Sequence, residues 1–175
     1  MNDLTANSSL NNALASMNQP GQYLTFLVGQ ESLAISISDV NEIIEISNVT
    51  HVPMTPDYIH GVINLRGNVV PVVDLSARLG HGCTKISKRS CIVLVEIELT
   101  DTVQLIGMLV DEVKEILEIP AENIQPAPDF GTDIRTEFIQ AMGRVGDDFI
   151  ILLAINKVLS VEELSQLDQI TKTSS

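Results

Sequence analysis

The side chains that could do chemistry in this sequence are scattered and do not form a catalytic set. The histidines are His51, His60 and His81, and Cys83 follows His81 after one glycine. A His-Gly-Cys step could supply two ligands to a zinc ion, but a tetrahedral site needs four. The sequence has no Gly-x-Ser-x-Gly elbow, no His-Glu-x-x-His helix and no glycine-rich phosphate loop. We therefore expect no enzymatic activity, no metal site and no cofactor.

One basic residue stands where it could act in recognition. Arg66 immediately precedes Gly67-Asn68, and the runs on either side, residues 62–65 and 69–73, are rich in strand-forming side chains. A Gly-Asn pair suits the centre of a two-residue type II′ turn, because glycine adopts positive φ without steric cost. The sequence thus predicts a β-hairpin with Arg66 beside its tip. A cation fixed on an apolar scaffold suits recognition of a partner better than catalysis.

The elements that must position this hairpin are short and separated by turn signals. Strands are predicted at residues 22–28, 33–37, 50–52, 91–97 and 103–110, with a last hairpin around Gly146-Asp147. Pro71 lacks an N–H, so the returning strand of the central hairpin should be an edge strand or bulged. Asp74 should cap a short helix through Arg78. Apolar residues at helical spacing predict two more short helices, at residues 39–46 and 111–117.

The sequence also contains an internal repeat. Residues 39–46 (DVNEIIEI) and 112–119 (EVKEILEI) agree at five of eight positions, 73 residues apart (112 − 39). Laying Gly67 on Gly146 gives an offset of 79 and sets Arg66 against Val145. The order of elements is the same in both halves, which indicates a duplication. We therefore predict a mainly β fold of two SH3-like five-stranded barrels with short helices.

The predicted domain spans residues 21–170. Its two intertwined barrel subdomains are expected at about residues 21–90 and 91–155. The Ser160-Val161-Glu162-Glu163 capping box starts a C-terminal helix expected at residues 160–170. Residues 1–20, which are rich in Asn, Ser and Ala, are expected to form a flexible N-terminal tail.

Composition excludes several classes of partner. Ten basic and 23 acidic residues give a net charge of −13, which disfavours nucleic acid and anionic membrane surfaces because both need clustered cations. No apolar run approaches the roughly 20 residues of a membrane span, so we expect no membrane insertion. Two cysteines are too few for a disulfide framework, and no signal peptide is evident. A cytoplasmic location is the resulting expectation.

With these pieces in hand, the sequence resembles the CheW family of chemotaxis coupling proteins. The resemblance covers roughly residues 22–167. The matching segments are Gly61-Val62-Ile63-Asn64-Leu65-Arg66-Gly67, Val70-Pro71-Val72-Val73-Asp74-Leu75, Gly107-Met108-Leu109-Val110-Asp111-Glu112-Val113 and Pro126-Ala127-Pro128-Asp129-Phe130. The Asn-Leu-Arg-Gly hairpin followed by Pro-Val-x-Asp-Leu is specific, whereas the other segments alone would be weak.

The resemblance implies a non-enzymatic adaptor. Its partners would be the regulatory domain of a CheA-type histidine kinase and the cytoplasmic tips of methyl-accepting chemoreceptors. An arginine at the position of Arg66 belongs to the receptor-coupling surface of the family. The partner-binding groove carried over to this chain would also include Gly61, Val40, Glu42, Cys91, Ile92 and Val113.

Two alternatives stay open from the sequence. For Val40, Ile92 and Val113, a role in the core is at least as well supported as a contact role. The chain could also be a CheW-like binding module of another chemosensory pathway, serving pili or other cellular functions, since its surface would look the same. A small metal-dependent enzyme is the reading that the sequence supports least.

Overall fold

The computed structural model describes residues 21–46, 49–98, 102–126, 134 and 136–159. The predicted N-terminal tail and the helix at residues 160–170 lie outside this range. The strands are β1 (Gln22–Val28), β2 (Glu31–Ser36), β3 (Val40–Glu45), β4 (Ile59–Leu65), β5 (Asn68–Asp74), β6 (Cys91–Glu98), β7 (Val103–Val110), β8 (Glu112–Glu118), β9 (Ile124–Gln125), β10 (Ile139–Val145) and β11 (Asp148–Leu153). One-turn helices α1 (Leu75–Arg78) and α2 (Ile155–Val158) follow the two hairpins. The predicted mainly β fold is confirmed.

The strands form two sheets. Sheet I has the order β3-β6-β7-β5-β4, and sheet II has the order β8-β1-β2-β11-β10-β9. Sheet I thus has the five predicted strands, while sheet II gains the short strand β9. Each sheet takes one hairpin from the other half of the chain: β6–β7 joins sheet I, and β1–β2 joins sheet II. Both sheets contain strands from before and after residue 90. The predicted subdomain boundary near this residue therefore describes the two sequence repeats, and as a boundary between folded units it stays a prediction.

Pairing registers define which residues of the two repeats are equivalent. Ile43 pairs with Val93 in sheet I, and Ile116 pairs with Leu24 in sheet II. These two isoleucines hold the same place in their sheets, so the predicted offset of 73 residues is confirmed for this strand. The hairpins β4–β5 and β10–β11 also share their register, including a bulge before the third residue, at an offset of 80.

Three apolar clusters make up the core. The largest lies between the sheets and contains Leu24, Phe26, Leu33, Ile43, Val93, Ile106 and Met108 among its fully buried members. A second cluster fills the inner side of sheet I, around Ile63, Val72, Ile92 and Leu94. A third, around Ala34, Ile119 and Leu152, fills the inner side of sheet II. Strands buried on both faces explain why runs such as residues 91–95 are continuously apolar.

The two helices predicted at residues 39–46 and 111–117 are wrong, because these segments are mainly strands β3 and β8. Each strand carries a β-bulge, between Val40 and Glu42 in β3 and opposite Thr25 in β8. The extra residue lets Val40 and Ile43 both pack on the central cluster, whereas Ile44 packs inside sheet I. An alternating pattern with one inserted residue imitates helical spacing.

The turn predicted for the central hairpin is displaced by one residue. Leu65 pairs with Asn68, so the central residues are Arg66 and Gly67, with φ of 52° and 87°. Two positive φ angles define a type I′ turn, whose twist matches that of the flanking strands. The Asn64 side-chain oxygen accepts a hydrogen bond from the Gly67 N–H at 3.0 Å, which stabilises the turn.

The prediction that β5 is an edge strand or is bulged at Pro71 is also wrong, because Pro71 pairs regularly with Val62 and the bulge of this hairpin lies in β4. β5 lies between β4 and β7. Pro71 is tolerated there because the ladder with β7 begins one residue later, at Val72. The predicted helix cap is confirmed, since Asp74 accepts a hydrogen bond from the Ala77 N–H at 3.3 Å at the start of α1.

Candidate functional site: an ion pair between the edges of sheet I

An ion pair joins the two edges of sheet I. Arg66 Nη2 lies 2.8 Å from Glu42 Oε1 and 3.0 Å from Glu42 Oε2. Glu42 is on β3 and Arg66 is on the β4–β5 turn, and β3 and β4 are the outer strands of this sheet. The sheet therefore curls until a side chain at one edge reaches the other. The Arg66 side chain is 68% exposed and that of Glu42 is 26% exposed, so the pair forms part of the surface.

Local backbone structure holds both partners. Arg66 occupies a left-handed conformation that only a minority of non-glycine residues adopt, and this fixes the direction of its Cβ. Glu42 follows the bulge in β3. On the same side of sheet I, Thr50 and Val62 exchange two backbone hydrogen bonds of 2.8 Å, which ties the chain that follows β3 to β4.

Gly61 is required where the segment around Thr50, which we call the crossing segment, packs against β4. Its φ is 155°, and a Cβ at this position would lie 2.4 Å from the Thr50 carbonyl oxygen and 2.7 Å from Val49 Cγ1. A contact under 3.0 Å forces the backbone of the crossing segment to move. Gly61 therefore shapes the rim beside the ion pair, and it has no side chain with which to contact a partner.

The structure brings some predicted site residues together and separates others. Val40, Glu42, Cys91 and Ile92 lie on the paired strands β3 and β6. Cys91 is 1% exposed in the central cluster and Ile92 is 0% exposed inside sheet I, so both side chains have packing roles. A contact role for either residue stays a prediction.

Val113 lies on β8, in sheet II. The registers make it the equivalent of Val40, because Val40 pairs with Val95 and Val113 with Phe26. Both valines are half-buried and pack against the central cluster from an edge strand. Each valine therefore has one face in the core and another that is partly exposed. The core role and the partner-contact role that the sequence left open are compatible for these two side chains.

Two further interactions were not found from the sequence. Arg78 lies between the rings of Tyr58 and Phe138, 4.9 Å from each centroid, and its Nε donates to the Val158 carbonyl at 2.7 Å. It thereby joins α1, beyond sheet I, to α2, beyond sheet II. In the sequence, Arg78 is recognisable only as a basic residue in the last turn of α1. Basic residues are common at this position of a helix, so the contacts of Arg78 with Phe138 and Val158 could not be predicted.

Asp74 is the second. It is 3% exposed, and besides capping α1 it accepts hydrogen bonds from the N–H and the hydroxyl of Thr84, at 2.8 and 2.7 Å. These bonds hold the polar connector of residues 80–90 against the hairpin. Only the capping role of Asp74 is predictable from the sequence, because a hydrogen-bond partner ten residues away has no periodic signature.

Three of the four residues that first suggested chemistry meet at one pocket, and His81 is not among the residues that line it. His51, His60 and Cys83 line a surface pocket of about 300 Å³, with Asp57 and Asp74. Among the residues that the structure describes, no three His, Cys, Asp or Glu side chains are arranged to hold a metal ion. In the same part of the chain, no helix is long and apolar enough to cross a membrane.

One carboxyl group is electrostatically perturbed. Burial, and then the nearby charge of Glu98, raise the pKa of Asp39 above its usual range. Asp39 ends the 3₁₀ turn that leads into β3, where Ser36 provides the N-cap.

Two β-sheets, one with its outer strands joined by a surface ion pair, and two equivalent hairpins define a duplicated, mainly β domain. The CheW-like domain family model matches residues 22–163. The chain belongs to this family, whose members in chemotaxis are adaptor or scaffold proteins.

Named relatives agree with this assignment. The chain is 34% identical over 152 residues to chemotaxis protein CheW of Klebsiella aerogenes, covering 87% of this chain and 89% of that protein. It is 32% identical over 152 residues to protein FrzA of Myxococcus xanthus, covering 84% and 91%. The crystal structure of the scaffolding protein TtCheW from Thermoanaerobacter tengcongensis has a TM-score of 0.73 at 35% identity, covering 84% of this chain and 92% of that one.

Proposed function

We propose that this protein couples the cytoplasmic tips of chemoreceptors to the regulatory domain of a CheA-type histidine kinase. The observation that carries the proposal is the exposed Arg66–Glu42 pair on a CheW-family fold. The protein acts without catalysis of its own, and its partners locate it in the cytoplasm.

The chemistry of Arg66 supports a role in recognition. A guanidinium offers five N–H donors in a plane. Within the described residues, Arg66 bonds to Glu42 through Nη2, so the donors on Nε and Nη1 remain for a partner. Glu42 anchors the Arg66 side chain and leaves part of the hydrogen-bonding capacity of the guanidinium unused. Less rotamer entropy is then lost when Arg66 meets a carboxylate or helix C-terminal carbonyls of a receptor.

The same pair gives the surface a defined shape. The edges of sheet I are joined at Arg66, so the hairpin tip and β3 present one continuous rim. A partner that docks on this rim would contact Glu42 and Val40 from β3 and Arg66 from the turn. Gly61 lies beneath the rim and keeps the crossing segment in place.

A paired binding experiment tests the proposal. The full chain is used to capture a histidine kinase that carries a homologous C-terminal domain, and separately to recruit that kinase to receptor arrays. Arg66→Ala should retain kinase capture and lose recruitment by receptors. Arg89→Ala is the matched control, because Arg89 is also an exposed arginine, 73% exposed, in an ion pair 3.5 Å from Glu112. Equal recruitment by the two variants would contradict a coupling role for Arg66.

The same experiment addresses the second reading. A CheW-like module of another chemosensory pathway would need the same rim but would recruit different receptors. Identification of the receptors that co-purify with the wild-type chain, and not with Arg66→Ala, distinguishes the two pathways. Failure to capture any kinase with a homologous domain would overturn the proposed function in both forms.

A further inference from the structure

Sheet II contains an open groove where sheet I is bridged. The groove has a volume of about 450 Å³ and lies between β8 and the β10–β11 hairpin. Glu115 and Leu117 line it from β8, and Val145, Asp148 and Phe149 line it from the hairpin. Phe149 is 51% exposed, one of the few large apolar side chains of the described range that face solvent.

The internal repeat indicates what this groove is built to accept. The β8 register makes Glu115 the equivalent of Glu42, one residue before Ile116 and Ile43 respectively. The hairpin register makes Gly146 the equivalent of Arg66 (146 − 66 = 80). In sheet I the arginine of the turn meets the glutamate of the edge strand. In sheet II the glutamate is retained, but the turn residue has no side chain.

The charges around the groove favour a cation. Asp148 takes the position of Asn68 and adds a second carboxylate to the lining of the groove. No ion pair of the described residues involves Glu115 or Asp148. The lining cation, Lys114, lies 3.7 Å from Glu112, so its charge is partly compensated by that carboxylate.

Two features favour arginine over lysine. Two carboxylates match the planar set of guanidinium donors, and an aromatic face such as that of Phe149 accepts a stacked guanidinium.

The edge strand β8 is also pre-formed where it carries Glu115. The Thr25 hydroxyl donates to the Glu115 carbonyl at 2.8 Å and accepts from the Glu115 N–H at 3.1 Å, which fixes the bulge that carries Glu115.

We propose that the groove of sheet II is a docking site for an arginine side chain supplied by a partner protein. Glu115 and Asp148 accept the guanidinium, and Phe149 lies against it. The site reproduces between two proteins the ion pair that sheet I makes within one chain. It does not depend on which receptors or kinase the protein couples.

Solution NMR of the ¹⁵N-labelled full chain tests the site, with N-acetyl-arginine-methylamide as the probe. The probe should shift the backbone amides of Glu115, Asp148 and Phe149 saturably, and N-acetyl-lysine-methylamide should bind more weakly. Glu115→Gln should weaken binding of the arginine probe by about five- to tenfold, the usual effect of losing one charged acceptor. Equal shifts with both probes, or no saturable shift at the solubility limit, would overturn the proposal.

A substitution within the repeat gives a second test. Gly146→Arg places the sheet I arginine in sheet II. The position allows it, because Gly146 has φ of 62°, close to the 52° of Arg66, and a Cβ built there has no atom within 4 Å. Gly146→Arg should abolish the probe-induced shifts by occupying the groove. Gly146→Ala keeps the same backbone demand without the guanidinium and should leave the shifts unchanged. Loss of the shifts in both variants, or in neither, would refute an arginine site here.

Discussion

Substitution of Arg66 by alanine separates recognition from folding. The pair with Glu42 lies at the surface, with the arginine 68% exposed, and exposed ion pairs contribute about 0.2–1 kcal/mol. Alanine leaves no cavity and keeps the same left-handed turn. We therefore expect the free energy of unfolding to fall by no more than about 1 kcal/mol, a shift of roughly 2–4 °C in Tm for a domain of this size.

Receptor coupling should respond much more strongly. Loss of a charge-assisted contact desolvated at an interface costs about 1–3 kcal/mol, or roughly five- to 150-fold in affinity. Arg66→Lys should restore part of this loss, because an ammonium cannot donate in a planar fork. Glu42→Ala and the double variant complete a cycle that isolates the energy of the pair.

Circular dichroism on heating and receptor-array recruitment should be measured on the same preparations. A recognition role for Arg66 is refuted if Arg66→Ala lowers the free energy of unfolding by well over about 2 kcal/mol while the folded fraction still couples normally. That outcome would make the arginine a structural clamp across sheet I. A normal Tm with lost recruitment would confirm recognition as its main role.

Three further predictions concern folding. Gly61→Ala should lower the free energy of unfolding by about 1–3 kcal/mol in denaturant titration, because its Cβ meets the crossing backbone, whereas Gly29→Ala, with open space around it, should cost about 1 kcal/mol of strain. Ile92→Ala should lower the free energy of unfolding by about 2–5 kcal/mol, because Ile92 is fully buried inside sheet I. Kinase capture per folded molecule then tests the predicted contact role, since only a contact would lower it. Asp39→Asn should raise Tm at pH 7, because burial and then the charge of Glu98 raise the folded-state pKa of Asp39 and so disfavour its ionised form in the folded protein. The gain should shrink as the pH falls through the raised folded-state pKa, and it should disappear below the ordinary pKa of an unfolded aspartate, where Asp39 is neutral in both states. A gain that persists in stronger acid would contradict this account.

The sequence predicted what depends on local pattern and on repetition. Alternating apolar runs identified both hairpins, and the offset of 73 residues correctly matched Ile43 with Ile116. Asp74 was recognised as a cap because capping is decided within one turn of helix. These features need no knowledge of distant strands.

What failed depends on partners far along the chain. The bulges in β3 and β8 exist because an edge strand adjusts to its neighbour, and they turned alternation into helical spacing. The Gly67–Gly146 alignment was wrong by one residue because Arg66 tolerates positive φ, which a sequence pattern reserves for glycine.

The exchange of hairpins between the two repeats has a consequence for synthesis on the ribosome. Every strand of sheet I lies between residues 40 and 110, so this sheet can assemble once that continuous segment has emerged. Sheet II instead joins the first two strands of the chain to its last four. The nascent β1–β2 hairpin must wait with its β1 edge unpaired until β8 has emerged, and with its β2 edge unpaired until β11 has emerged. Folding intermediates with unpaired strand edges of this kind are aggregation-prone and are substrates of chaperones. The rate of folding of this adaptor in the cell should therefore be limited by the time that β1 and β2 spend without their partner strands.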